Sequence, residues 1–134
     1  MDDRMRALIV EDEPLTCLVV KHYLLKNWTC DMALNGREGV DSFIRACESG
    51  LPYDLVCLDV VMPVMNGFDA LKAMRNFETI HMFKKRGKIL MLSGLSEPTD
   101  ILRAHMSGSD GYLPKPIYMP LFVYELRRLG LLAS

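Results

Sequence analysis

The chain has 134 residues, of which half are hydrophobic and a quarter are charged. This length and composition are typical of one globular domain and differ from those of a disordered chain. The formal net charge of −1 gives no reason to expect binding to nucleic acid or to a membrane surface. The sequence has no apolar run of the roughly 18 residues that a membrane-spanning helix needs, and its acidic start lacks the apolar stretch of a signal peptide. We therefore expect a single cytoplasmic domain.

The four cysteines are widely separated, at Cys17, Cys30, Cys47 and Cys57. Zinc sites and dithiol redox sites usually contain a Cys-x-x-Cys pair, and this sequence has none. Cys57 lies within an apolar strand pattern, which predicts that it is a small residue of the core.

Strand and helix patterns alternate five times along the chain, which predicts a parallel α/β sheet with helices on both faces. The predicted strands are short apolar runs at residues 6–10, 29–34, 54–58, 88–92 and 111–114. The predicted helices begin at Pro14 and end near Asn27, span 36–48, begin near Asn66-Gly67, span 98–106 and begin near Pro120.

The order of the strands follows from their composition. Pro114 lies in the last strand and cannot donate a hydrogen bond to a neighbour, so this strand is predicted at an edge of the sheet. The first, third and fourth strands are continuous apolar runs, which favours burial on both faces. These features predict a flavodoxin-like doubly wound sheet of five strands in the order 2-1-3-4-5, with its switch point between strands 1 and 3.

Helical spacing of apolar residues indicates which helix faces are buried. The first helix carries apolar positions at Leu15, Leu18, Val19, Leu24 and Leu25. The third helix is expected to direct Phe68, Leu71 and Met74 inward. In the last helix, Phe122, Leu126 and Leu129 form the expected core face, and Tyr118, Leu121 and Tyr124 form a second, outer stripe.

Polar residues follow four of the predicted strands at the point where each strand ends. Glu11 and Asp12 follow the first strand, and Asp59 follows the third. Ser93 ends the fourth strand, and Lys115 ends the fifth. Because the carboxyl ends of parallel strands share one edge of the sheet, these side chains are expected to converge near the switch point.

These residue types suit a cation and a phosphoryl group. Two carboxylates about 4 Å apart repel by roughly 4 kcal/mol at a surface-like dielectric, so clustered acids tend to take up a cation. A few hard oxygen ligands favour Mg²⁺. Asp59 is a candidate nucleophile that would form an aspartyl phosphate, while Ser93 and Lys115 offer donors to phosphate oxygens. Each residue alone has an ordinary structural explanation, such as an acidic helix start for residues 11–13, but their coincidence favours a phosphoryl site.

The chain resembles the receiver domain of two-component response regulators. The similar segments are 8–14, 53–63 with Asn66-Gly67, 90–94 and 108–116, which together span nearly the whole chain in the right order. The resemblance implies a cis Lys115-Pro116 bond. It also implies that Mg²⁺ is bound by the acid pair Glu11 and Asp12, by Asp59 and by the main-chain carbonyl of Val61. Asp59 is then the phosphoacceptor, and Lys115 is the phosphate-binding lysine. Ser93 is the switch hydroxyl, and Tyr112 is the switch aromatic residue.

The resemblance implies a signalling phosphoacceptor rather than an enzyme with a separate substrate. A histidine kinase or a phosphotransfer protein would phosphorylate Asp59 in the presence of Mg²⁺. The phosphate would then switch the surface formed by helix 4, strand 5 and helix 5 for an output protein or a homodimer. We expect one stand-alone receiver over residues 1–134, without an output domain.

Two other classes of function are considered. A constitutive interaction module could keep the fold without accepting phosphate, although the intact acid cluster and Lys115 argue against it. An enzyme of related fold could be a flavodoxin-like electron carrier or an aspartate-nucleophile phosphatase. The former needs a hydroxyl- and glycine-rich loop where this chain has residues 11–13, and the latter needs an acid where this chain has Val61.

Two further predictions concern a basic segment and two aliphatic positions near the predicted site. Lys84, Lys85, Arg86 and Lys88 are predicted to lie in a solvated loop rather than a nucleic-acid-binding patch. Val61 and Leu95 lie two residues beyond Asp59 and Ser93, at positions where receivers often carry polar groups. The resemblance therefore implies a long-lived aspartyl phosphate, because aliphatic groups cannot orient an attacking water.

Overall fold

The computed structural model of the protein describes residues 4–24, 27–83, 86–94 and 98–132. Within these residues, five strands and five helices alternate along the chain. The strands are β1 (Met5–Val10), β2 (Trp28–Ala33), β3 (Leu55–Asp59), β4 (Lys88–Ser93) and β5 (Gly111–Pro114). The helices are α1 (Pro14–Leu24), α2 (Gly36–Glu48), α3 (Gly67–Ile80), α4 (Pro98–Met106) and α5 (Met119–Arg128).

The strands form one parallel sheet in the order β2-β1-β3-β4-β5, which confirms the predicted topology. β5, the strand that contains Pro114, lies at an edge as predicted. Along the sheet, Val10 pairs with Leu58 and Asp59 pairs with Leu92. The residues that follow these pairs therefore lie side by side at the carboxyl edge.

Helices cover both faces of the sheet. α1 and α5 pack on one face, where the buried helix residues are Cys17, Val20, Leu24, Phe122 and Leu126. α2, α3 and α4 pack on the other face, where the buried helix residues include Phe43, Phe68, Leu71, Met74 and Ala104. The predicted inward residues of α3 are all confirmed, and so are Phe122 and Leu126 of α5.

α3 begins immediately beside the end of β3. The Asn66 side chain caps this helix by accepting a hydrogen bond from the Asp69 N–H at 3.0 Å. Gly67, the first helical residue, donates its N–H to the carbonyl of Val60. A Cβ atom at Gly67 would lie 2.1 Å from the main-chain oxygen of Asp59, so only glycine permits this close approach.

The prediction for α1 was wrong in part of its buried face. The described part of the helix reaches Leu24, and Trp28 pairs with Met5 in the sheet, so the predicted end near Asn27 is not tested by the described residues. Leu25 lies outside the described residues. Apolar residues lie on nearly every side of α1, so their spacing in the sequence could not show which side of the helix is buried.

The structure buries Cys17 and Val20 instead, and it leaves Leu15 66% and Leu18 59% exposed.

A partly buried ionic network lies at the opposite edge of the sheet from Asp59. The guanidinium of Arg75 contacts Glu78 at 2.8 Å and Asp110 at 2.6 Å, and it donates to the carbonyl of Gly87 at 2.8 Å. Glu78 is 2% exposed, and its other oxygen accepts the N–H of Gly87. These ion pairs and hydrogen bonds connect the last turns of α3 to the segments at the starts of β4 and β5.

The cysteines are unpaired, and three of the four are buried. Cys57 is fully buried in β3, as predicted. Burial raises the pKa of Cys17 to about 11 and the pKa of Cys47 to about 11. Burial also raises the thiol pKa of Cys30 and of Cys57 above the ordinary value.

Among the helices in the described part of the chain, none combines the length and apolar character needed to cross a bilayer.

Candidate functional site

Three acidic side chains meet at the carboxyl edge of the sheet. Glu11 and Asp12 directly follow β1, and Asp59 is the last residue of β3. One carboxylate oxygen of each residue lies within 4.8 Å of the corresponding oxygens of the other two. Glu11 is fully buried and Asp59 is 3% exposed, whereas Asp12 is exposed. The sequence therefore predicted this cluster correctly.

Lys115 reaches into the cluster from the end of β5. Its Nζ atom lies 2.7 Å from Glu11 Oε2 and 3.2 Å from Asp59 Oδ1. One ammonium group thus bridges two buried carboxylates, while Asp12 adds a third negative charge nearby. The four ionised groups would carry a net charge of −2.

The side chain of Glu11 is held from two sides. Its Oε1 atom accepts the backbone N–H of Glu13 at 3.1 Å, while Oε2 contacts Lys115. Beneath it, the thiol of Cys17 donates to the main-chain oxygen of Glu11 at 3.5 Å. The contact with the Glu13 amide follows from the turn between β1 and α1, which sequence reasoning did not anticipate.

Burial dominates the acid–base properties of the site. It raises the pKa of Glu11 to about 7; the hydrogen bond from Lys115 opposes this change and the charge of Asp59 reinforces it. Burial likewise raises the pKa of Asp59, against the opposing charge of Lys115. Burial alone would lower the pKa of Lys115, but the hydrogen bond to Glu11 and the charge of Asp59 raise it overall. An additional cation would stabilise the ionised acids.

The donor set fits Mg²⁺, which prefers a few carboxylate and carbonyl oxygens and retains several waters. Glu11, Asp12 and Asp59 supply the carboxylates. The backbone N–H of Val61 hydrogen-bonds to Asp59, which keeps the main chain of Val61 close to that carboxylate. The side chain of Val61 is 63% exposed.

The predicted switch residues lie on the neighbouring strands. Ser93 is fully buried at the end of β4, one residue beyond the partner of Asp59. Tyr112 pairs with Met91 in β5, and its half-buried ring packs against the core beneath α2, α3 and α4. The direct ionic contacts therefore join Glu11, Asp59 and Lys115, while Ser93 and Tyr112 extend the site towards α4. Leu95 lies outside the described residues.

The peptide bond between Lys115 and Pro116 is cis, as the resemblance implied.

The loop between β3 and α3 contains a feature that the sequence did not reveal. Val64 has a φ angle of 70°, and the N–H of Met65 donates to the carbonyl of Pro63 at 2.7 Å across it. A β-branched residue rarely adopts a positive φ angle. The side chain of Val64 is 81% exposed, so it projects into solvent at the rim of the site.

An apolar groove of about 480 Å³ also borders the site. Leu15 and Val19 of α1 form one wall, and Pro116 and Ile117 form the other. Lys115 lies at the groove as well, so the groove opens beside the acid cluster. The apolar residues of α1 were visible in the sequence, but their exposure could not be predicted without the position of α5.

Comparison with known proteins identifies the family. The family model for the response regulator receiver domain matches residues 7–126. The curated relatives include hybrid signal transduction histidine kinase A of Dictyostelium discoideum, which is 33% identical over 128 residues, covering 95% of this chain and 6% of that protein. Regulatory protein VanRB of Enterococcus faecalis is 31% identical over 135 residues, covering 97% of this chain and 56% of that protein. The chain thus spans little more than half of VanRB and a small part of the kinase.

Solved structures show the same architecture. Chemotaxis protein CheY4 of Vibrio cholerae superposes with a TM-score of 0.79 at 28% identity, over 94% of this chain and 98% of that one. The receiver domain of the response regulator Ssk1 of Saccharomyces cerevisiae, co-crystallised with the histidine phosphotransfer protein Ypd1, gives a TM-score of 0.82 at 25% identity. That match covers 97% of this chain and 91% of that one.

A doubly wound sheet with a cluster of acids at its switch point defines an α/β protein that binds its ligand at the carboxyl edge. Together with the family match, this architecture settles the classification: the chain belongs to the response regulator receiver domain family of two-component signalling. Family membership favours the receiver over the flavodoxin and phosphatase alternatives.

Proposed function

We propose that the protein accepts a phosphoryl group on Asp59 from the phosphohistidine of a histidine kinase or of a phosphotransfer protein. The observation that carries this proposal is the buried Asp59 carboxylate, which Lys115 contacts at 3.2 Å within a cluster of three acids. Glu11, acting through water, would hold Mg²⁺ together with Asp12, Asp59 and the carbonyl of Val61. When bound, the ion would offset the negative charge of the acids and of the incoming group.

The transfer step moves the phosphoryl group from nitrogen to oxygen. A carboxylate oxygen of Asp59 attacks phosphorus, the P–N bond of the phosphohistidine breaks, and its electron pair returns to the imidazole ring. Lys115 already contacts Asp59, so its ammonium group is placed to contact a phosphoryl oxygen. The hydroxyl of Ser93 would donate to another oxygen. The protein thereby promotes its own modification and has no separate substrate.

Phosphorylation would change a surface at the β5 edge of the sheet. The phosphate adds nearly two negative charges and three acceptor oxygens, which attract Ser93 and leave space for Tyr112. The surface beyond Tyr112 consists of α4, β5 and α5, where Tyr118, Leu121 and Tyr124 are 63%, 45% and 63% exposed. We assign this stripe to an output protein or to a second copy of the chain, in the cytoplasm and without a nucleic-acid partner.

The test is phosphorylation by a small-molecule donor. Incubation with acetyl phosphate and Mg²⁺ is expected to add one phosphate to the intact mass of the wild-type protein and none to Asp59→Asn. Asp69→Asn is a matched control, because it removes the charge of an aspartate in the first turn of α3. An adduct of equal yield on Asp59→Asn would refute the assignment, and no adduct on the wild type would favour a constitutive interaction module.

A further inference from the structure

α4 has the fewest buried residues of the five helices in the described part of the chain. Of its nine residues only Ala104 is buried, whereas α2 and α3 each bury six. Its apolar residues Ile101, Leu102 and Met106 are exposed. A helix of this length is also marginal on its own in water. The position of α4 therefore depends on a few individual contacts with its neighbours.

The carboxyl end of α4 is fixed to α3 by Arg75. The Nε atom of Arg75 donates to the carbonyl of Gly108, just beyond the end of α4, at 2.9 Å. The same guanidinium forms ion pairs with Glu78 and Asp110. Because one partly buried side chain makes all of these bonds, displacement of this end of α4 would break several of them together. We therefore expect this end of α4 to stay in place when the protein switches.

A second contact joins α4 to the start of α3, at the Asp59 end of the sheet. The guanidinium carbon of Arg103 lies 4.1 Å from the centre of the Phe68 ring. This is well inside the distance of about 6 Å over which a ring face attracts a cation. Phe68 is only 3% exposed, and Arg103 covers it from the solvent side. Movement of α4 away from α3 would lose this contact and expose the ring.

Phe68 adjoins the backbone of the phosphoacceptor. It follows Gly67, whose N–H donates to the carbonyl of Val60 at 2.8 Å. Gly67 approaches the backbone of Asp59 so closely that an added Cβ atom would lie 2.1 Å from its main-chain oxygen. α4 is also connected to the site along the chain, since it begins a few residues after Ser93. Two routes thus link α4 to the place where the phosphate would bind.

We propose that Arg103 is a latch that holds α4 against Phe68 in the unphosphorylated protein. The latch rests on the proposed function, because it regulates the surface that phosphorylation of Asp59 would change. Movement of Ser93 towards the phosphate would draw the start of α4 with it, while Arg75 holds the far end. α4 then swings away from the ring, and the contact of Arg103 is lost in the activated state alone. Arg103 thereby sets how readily the phosphate switches the protein.

The size of the expected effect follows from thermodynamic linkage. A contact that is present in only one of two conformations biases the equilibrium between them by its own strength. For a cation–π pair at an exposed site, this bias is roughly two- to fivefold. Removal of the contact strengthens the binding of a ligand that selects the other conformation by the same factor, provided that this conformation is the minor one in the free protein. Loss of the Arg103 guanidinium should therefore favour the activated state.

The experiment measures the affinity of the full chain for beryllium fluoride at saturating Mg²⁺, by fluorine NMR. Arg103→Gln should bind beryllium fluoride about two- to fivefold more tightly than the wild type does. Arg103→Lys keeps a cation over the ring, so its affinity should lie close to that of the wild type. Arg45→Gln is the matched control, because Arg45 is an exposed arginine in the last turn of α2 and contacts Ser42 of its own helix. This control should bind like the wild type.

Hydrogen exchange of the α4 amides separates release of the helix from general damage. Exchange in Arg103→Gln should be faster than in the wild type before activation, and equal to it after beryllium fluoride and Mg²⁺ are added. A residue that only shields the Phe68 ring in both conformations would instead raise exchange in both. In a Phe68→Leu background, Arg103→Gln should change neither the exchange nor the affinity, because the ring is absent.

The outcomes distinguish the latch from the function on which it rests. Unchanged or weaker binding of beryllium fluoride by Arg103→Gln, or faster α4 exchange in both states, would overturn the latch and leave the proposed function intact. A wild-type protein that takes up no beryllium fluoride would refute the proposed function, and the latch with it.

Discussion

Glu11 combines complete burial with a position beside two other charges. Its pKa is raised to about 7 chiefly because burial disfavours the charged carboxylate. Below pH 7 the side chain is mostly protonated and contributes no negative charge to the cluster, and above pH 7 it is mostly ionised. The charge available to a divalent cation therefore changes within the physiological range.

The first prediction concerns metal affinity against pH. Mg²⁺ should bind more tightly as the pH rises from 6 to 8, because Glu11 loses its proton through a pKa of about 7. In Glu11→Gln this part of the pH dependence should disappear, and the affinity above pH 7 should be about tenfold lower, on the order expected for one lost interaction at a metal site. Titration calorimetry of the unphosphorylated protein measures both effects. An equally steep pH profile in Glu11→Gln would show that another group is responsible.

A second prediction at this scale concerns the lifetime of the aspartyl phosphate. Val61 lies two residues beyond Asp59, and its side chain is 63% exposed and cannot form hydrogen bonds to water. Val61→Asn supplies a group that can orient this water, so dephosphorylation should become several-fold faster. Loss of the phosphate adduct with time, followed by intact mass, measures the rate. Slower loss in Val61→Asn than in the wild type would contradict the interpretation.

The charged residues of the site could be predicted from the sequence because each follows an apolar strand. Asp59 and Lys115 are of this kind, and the sheet brings them within 3.2 Å of each other. Val64 could not be predicted, because its positive φ angle is set by the loop that returns the chain from Asp59 to the start of α3. Nothing in the residue type valine indicates such a conformation.

At the scale of elements, α1 shows how the surroundings decide which side of an apolar helix is buried. Leu15 and Leu18 fit an apolar helix as well as Cys17 and Val20 do, but the sheet and α5 cover only the latter pair. Leu15 is left exposed at the groove that ends at Lys115. We therefore expect a protein that delivers phosphate to the buried Asp59 to contact this rim.

The third prediction tests this role of α1. Leu15→Gln should reduce phosphotransfer from a donor protein by about tenfold or more, as one apolar interface contact can be worth more than 1 kcal/mol. Phosphorylation by acetyl phosphate should be unchanged, because this small donor needs no docking surface. Leu51→Gln is the matched control, since Leu51 is 57% exposed and far from β5. An equal loss with both donors would indicate damage to the site itself.

At the scale of the whole molecule, the order of the strands could be predicted because the residue composition of each strand indicates whether it is buried at the centre of the sheet or lies at an edge. Continuous apolar runs marked β1, β3 and β4 as central, and Pro114 marked β5 as an edge strand. The ionic network around Arg75 was not predictable, since it joins residues as far apart in sequence as Arg75 and Asp110. Such contacts depend on the final packing of α3 against the starts of the strands.

The fourth prediction concerns assembly of the whole molecule. Addition of beryllium fluoride and Mg²⁺, which together mimic the phosphorylated state, is expected to shift the protein from monomer to dimer or to complex with its output partner. Leu121→Glu should abolish this shift, because it places a charge in the apolar stripe of α5. Analytical ultracentrifugation measures the change. If the activated variant associates as the wild type does, the interface lies elsewhere.

The buried cysteines have a practical consequence for chemical labelling. With a pKa of about 11, the thiols of Cys17 and Cys47 contain roughly one thiolate in ten thousand molecules at pH 7, and the thiolate is the reactive form. Maleimides and iodoacetamides would therefore leave these native positions largely unmodified. A cysteine placed at an exposed position such as Met106 would react in preference to these two thiols, so a fluorophore or spin label there could report on α4.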